Sequence, residues 1–91
     1  MNYTFATIII NDNYRAQAQA DLGEGFFNTP LSTDGNKPPV AWLASGPFLN
    51  EELNKIFNVY TWEKKVYFGD DWVSALEEEG LKIISENNNI I

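Results

Sequence analysis

The sequence predicts a single-domain α+β sandwich: a mainly antiparallel sheet with helices packed on one face. Three observations carry that expectation. Residues 3–10, YTFATIII, are dense in β-branched and aromatic side chains and stop at the turn-forming NDN, which marks a strand. Later stretches alternate between helical spacing with start and stop signals and short β-prone runs. The chain's 91 residues suffice for one buried core and are too few for two. The domain is expected over 1–86, with 87–91 as a tail.

Both faces of the first strand are largely apolar, which suits a central strand with a helix layer on one side and a second buried contact on the other. Asn11, Asp12 or Asn13 offers side-chain acceptors to the free amides that follow, and YRAQAQADL then forms a helix ended by Gly23. Tyr14, Ala18 and Leu22 recur at spacings of four and make its buried face. The Ala/Gln alternation also fits a strand, but neither residue favours strands.

Residues 26–31 and 40–44 read as two strands joined by a polar tip, 32–39, which turns at Asp34-Gly35 and is a candidate contact loop. Pro30 has no backbone donor and so places its strand at a sheet edge or a bulge. Lys37-Pro38-Pro39 is expected to be stiff and extended. A second helix takes Pro47 and Asn50 as start signals and buries Leu49, Leu53, Ile56, Phe57 and Tyr60. KKVYF is a short strand or an extended connector, GDDWVSALEEEG a third helix, and LKIIS a last strand with Leu81, Ile83 and Ser85 on one side and Ile84 on the other. This order is that of a ferredoxin-like arrangement with one extra helix.

Composition removes several chemistries. Without cysteine there is no disulfide, thiolate nucleophile or zinc–thiolate site, and without histidine the commonest neutral-pH base and transition-metal ligand is missing. A net charge of −7 has the wrong sign for neutralising phosphates, so direct nucleic-acid binding is not expected. No apolar run approaches the ~20 residues that span a bilayer, and no basic stretch precedes the first one, so neither a membrane segment nor a signal peptide is expected. These features predict a soluble cytoplasmic protein. Three Trp, four Tyr and six Phe supply the large apolar area that a small core needs.

The segment GDDWVSALEEEG is the densest concentration of charge. Asp70 and Asp71 stand at a helix start, where their carboxylates accept free amides and favour the positive end of the dipole. Trp72, Val73 and Leu76 form the expected buried stripe, and Gly80 ends the helix in the left-handed conformation with Leu76 meeting Leu81. Glu77, Glu78 and Glu79 then sit at the unfavourable end of the dipole. With Asp70, Asp71 and Glu86 they are the candidate surface for a basic partner. A metal site is not expected, because consecutive glutamates on a helix diverge by about 100°. No cofactor is implied, and no paired carboxylates for acid–base catalysis can be identified.

The function these residues predict is a non-catalytic protein-binding module, accessory or inhibitory, acting through an acidic surface. Self-association is a further expectation, with Ile90 and Ile91 at the end of SENNNII packing on a neighbouring copy. Two alternatives stand beside it: an acidic DNA mimic that occupies the basic groove of a nucleic-acid-binding host defence enzyme, and a small enzyme working with carboxylates alone. In size, lack of cysteine and the compact opening MNYTFATIII, the chain resembles the short uncharacterised proteins encoded by bacteriophages. That resemblance is one of style, without a specific motif, and transfers no functional residue. It implies accessory roles or inhibition of host enzymes, in the host cytoplasm.

Overall fold

The computed structural model describes residues 2–84. Glu86, Ile90 and Ile91 lie outside the described residues. The fold is a five-stranded antiparallel sheet with three helices. Strand β1 (Tyr3–Asn11) runs through a single 3₁₀ turn into α1 (Arg15–Leu22). Next come β2 (Thr29–Ser32), β3 (Ala41–Leu49), α2 (Asn50–Asn58), β4 (Lys65–Phe68), α3 (Trp72–Glu79) and β5 (Lys82–Ile83). The strand order is β4-β1-β3-β2-β5, with every neighbouring pair antiparallel. The first six elements therefore reproduce the ferredoxin-like β-α-β-β-α-β order, and α3 with β5 is added at the β2 edge. Among the described residues, no helix is long and apolar enough to cross a membrane.

The helices occupy both faces of the sheet, which corrects the expectation of one. Alternate residues of a strand point to opposite faces. Ala6, Ile8 and Ile10 meet Ala18 of α1, Leu53 and Ile56 of α2, and the buried Phe27 and Trp62. Ile9 points the other way and packs with Leu31, Ala41 and Leu43 against Ala75 and Leu76 of α3. The apolar content of both faces of β1, already visible in YTFATIII, is the physical reason that two layers are needed.

Two tryptophans are tied down alike on the α1 and α2 side. The Trp62 indole donates to Asp21 Oδ2 at 2.9 Å with Lys64 4.7 Å over its ring, and Trp42 donates to Asp12 Oδ1 at 2.6 Å with Arg15 3.6 Å over its ring. Lys64 Nζ also donates to the carbonyls of Ile56 and Tyr60, at 2.7 and 2.9 Å, closing the end of α2.

Several local expectations need correction. Pro47 starts no helix: it lies within β3, which continues to Leu49. Asp12 donates to Val40 and Asn50 to Asn2, so the even-numbered residues of β3 exchange bonds with β1. Pro47 thus turns its missing donor toward the side where β2 has already ended, a place that needs none. Phe26 and Phe27 are outside β2. Phe27 is buried with φ of 58°, unusual for a bulky residue, and its carbonyl accepts from Arg15 Nε at 3.0 Å. Pro30 has strands on both sides of β2, yet its carbonyl accepts from Ile84 and β5 pairs only with Leu31 and Ser32. Pro30 is thus not at a sheet edge as expected: its donorless nitrogen faces the β5 side, at the point where that strand's pairing ends. Residues 37 and 38 bend with a cis Lys37–Pro38 peptide where extended backbone was expected. The last strand shrinks to Lys82–Ile83.

Candidate functional site

The acidic segment folds as the helix its sequence describes, and the fold then divides its carboxylates by task. Asp71 caps α3: one carboxylate oxygen accepts from the Ser74 amide at 3.1 Å and the other from the Ser74 hydroxyl at 2.7 Å. Those bonds, the hydroxyl's foremost, hold the Asp71 carboxyl below its ordinary pKa. Gly80 closes the helix with φ of 70°, and Leu81 N donates to Leu76 O at 3.0 Å while both leucines pack on the same cluster.

Glu79 faces back to the sheet. Its carboxylate accepts from the Tyr67 hydroxyl and lies 3.7 Å from Lys65 Nζ. The bond to Glu79, with desolvation and the charges of Glu79 and Glu78, pushes the Tyr67 phenol up to about 12. The phenol therefore stays protonated through the physiological range and serves as a donor, a clasp between β4 and the end of α3. The side chains of Asp70 and Glu77 remain exposed, with no hydrogen bond or ion pair among the described residues, and Glu78 is exposed beside Tyr67. Six acids were expected to form one patch. Two are consumed by the fold, one lies outside the described residues, and the other three sit at opposite ends of α3, about 12 Å apart for an eight-residue helix.

Two concavities flank this helix. An open groove of about 530 Å³ runs past its end, with Asn11, Val40, Glu63, Lys64, Lys65 and Glu79 in its lining. Both charge signs meet there, and desolvation draws the Lys64 ammonium below its ordinary pKa. At the other end, a concavity of about 280 Å³ is lined by Thr29, Leu43, Ser45, Trp72 and Ile83. No group of three or more acids among the described residues is arranged to hold a metal ion.

The feature that sequence reasoning missed is the incomplete cover of the α3 face. Trp72 and Val73 were expected in the buried stripe, but they are 38% and 49% exposed, and Ala75 and Leu76 take the contact instead. Farther along β1, Phe5 on the same face is 51% exposed beside the exposed Pro47. An eight-residue helix is too short to reach that end of a nine-residue strand pair. The missing signal was length: Tyr3 to Asn11 spans about 30 Å of strand against about 12 Å of helix. The polar tip is an ordinary closed turn, in which Asp34 accepts from Asn36 N at 2.9 Å and from Ser32 Oγ at 3.2 Å. No family model matches the chain, and neither a curated protein nor a solved structure matches it.

Proposed function

We propose that this protein is a non-catalytic binding module that docks another protein through the α3 face of its sheet. The observation that carries this reading is the apolar surface left uncovered there: Phe5, Trp72, Val73 and Ile83, the last three around or beside a ready concavity. Apolar groups exposed along one face, rimmed by charge, mark docking surfaces. Asp70 flanks the surface at one end of α3, with Glu77 and Glu78 at the other, so the fitting partner carries an apolar ridge between basic flanks. This division of the free acids favours protein docking over imitation of DNA, for which a regular array of charges is needed. The lack of cysteine fits a reducing compartment and so a cytoplasm, that of a host cell if the chain is phage-encoded.

The test compares baits. The whole chain and its Phe5→Ser/Trp72→Ser variant are immobilised, and proteins captured from a cell lysate are quantified by mass spectrometry, then purified for direct titration. A partner retained by the parent, lost from the double variant and weakened by Glu77→Lys/Glu78→Lys is the expected result. Equal binding to all three baits by the purified partner overturns the reading.

A further inference from the structure

On the opposite edge of the sheet, the structure points to a second interface, and we infer that its occupant is a second copy of this chain, joined through β4. Gly69 N donates to Phe5 O at 2.8 Å, and Thr7 and Ile9 stand opposite Tyr67 and Lys65. Odd-numbered residues of β4 therefore exchange bonds with β1, and the N–H and C=O groups of Val66 and Phe68 point outward from the sheet. Among the described residues no hydrogen bond reaches them.

Natural edges are usually blunted by proline, by a bulge or by a covering segment. The open side of β3 has Pro47, but β4 has only its shortness and Lys65. Its outward flank is also apolar: Phe68 is 65% exposed and stacks on Phe57 of α2, itself half exposed, with ring centroids 6.0 Å apart.

The sequence across this edge, KKVYFGDD, is self-complementary in charge when read antiparallel. Consider a two-fold axis through Tyr67, perpendicular to the sheet. Val66 then exchanges backbone bonds with Phe68 of the second copy, and the Lys65 end of each strand lies beside the end of the other that leads into Asp70. The long Lys65 side chain then reaches toward the free Asp70 carboxylate of the second copy. Asp70 is without a partner in the single chain, and Lys65 has only its 3.7 Å pairing with Glu79. The same register places Val66 of each copy against the Phe68–Phe57 stack of the other. A continuous ten-stranded sheet results, two copies of the five strands seen here.

The complementarity is local, because each copy also carries a net charge of −7 that opposes association in general. That opposition makes the proposal sharply testable. Sedimentation equilibrium of the full chain at physiological ionic strength is expected to give a reversible monomer–dimer equilibrium. Phe68→Glu, at an exposed site, is expected to weaken the dimer about tenfold or more. Asp70→Lys lowers the net charge but sets like charges side by side, and is expected to weaken it several-fold. Glu24→Lys, the same charge change on an exposed loop, is expected to leave it unchanged or slightly tighter. Circular dichroism confirms that each variant is folded. A monomer at every concentration, a dimer indifferent to Phe68→Glu, or a dimer that Asp70→Lys tightens as Glu24→Lys does overturns the inference.

Discussion

The two faces of this sheet are built on different terms. On one, α1 and α2 pack over Ala6, Ile8 and Ile10, and each of two tryptophans is held by a carboxylate at its nitrogen and a cation above its ring. On the other, α3 covers part of the face and is held by a cap, a glycine stop and the Tyr67–Glu79–Lys65 clasp. Stability and recognition are thereby assigned to separate faces. Polar side chains that could have served a surface are spent fixing the first face, whose exposed apolar groups Phe57 and Phe68 lie at its β4 edge, whereas on the second Phe5, Trp72 and Val73 are left in water on the face itself.

The largest contrast is expected from truncating one tryptophan on each face. Trp62 is 1% exposed and packs edge-on against Phe27 at 5.7 Å, so Trp62→Ala is expected to cost about 3–5 kcal/mol. Trp72→Ala removes a ring that is 38% exposed on the α3 face and is expected to cost less, about 1–2 kcal/mol, because its packing is incomplete. Urea unfolding of the two variants measures the contrast, and equal losses would make the faces equivalent. Asp21→Ala comes next: it leaves the buried Trp62 indole without its acceptor, for about 1–3 kcal/mol.

Much of this contrast was legible in the chain, and the remainder failed for identifiable reasons. The alternation of Tyr14, Ala18 and Leu22, and the stop at Gly80, depend on neighbours within a turn or two, and both formed as read. That β1 buries both faces also follows from its own composition. The placement of helices on two faces does not, because it depends on the path of α3 after β4. Pro47 was read by its local preference for helix starts, when a sheet edge that needs no donor at that residue satisfies it equally. The acids of α3 formed one cluster in sequence, yet Glu79 turns to the sheet because the helix rotates by about 100° per residue. Which glutamate met Tyr67 was a matter of tertiary packing.

Two fastenings of α3 have their titration displaced by the fold. The Tyr67 pKa is raised from 10.0 to about 12 in the folded chain, so its contribution is complete below about pH 10 and disappears as pH rises toward 12. Tyr67→Phe is expected to remove stability at neutral pH and, with it, the loss of stability across that alkaline window. The Asp71 carboxyl lies below its ordinary 3.8, so the cap contributes above that value and is lost as pH falls through the lowered pKa. Asp71→Ala is expected to destabilise at pH 7 and flatten the acid limb. Unfolding midpoints across pH test both, and unaltered alkaline and acid limbs in the two variants would remove titration from the account of this face.

The smallest expected effects distinguish three adjacent glutamates. Glu77 and Glu78 stand at the negative end of α3 without a cation of their own, so Glu77→Gln/Glu78→Gln is expected to stabilise by about 0.3–1 kcal/mol at low salt. At physiological ionic strength, with a screening length of about 8 Å, the gain is expected to shrink. Glu79→Gln changes the same charge at the next position, but it withdraws the anion from Lys65 and the acceptor from Tyr67, so it is expected to destabilise. Opposite signs in thermal unfolding would mean that the run EEE holds two surface residues and one structural one, divided by a single step of helical rotation. A common sign would reduce Glu79 to a member of the surface pair and leave the clasp without energetic weight.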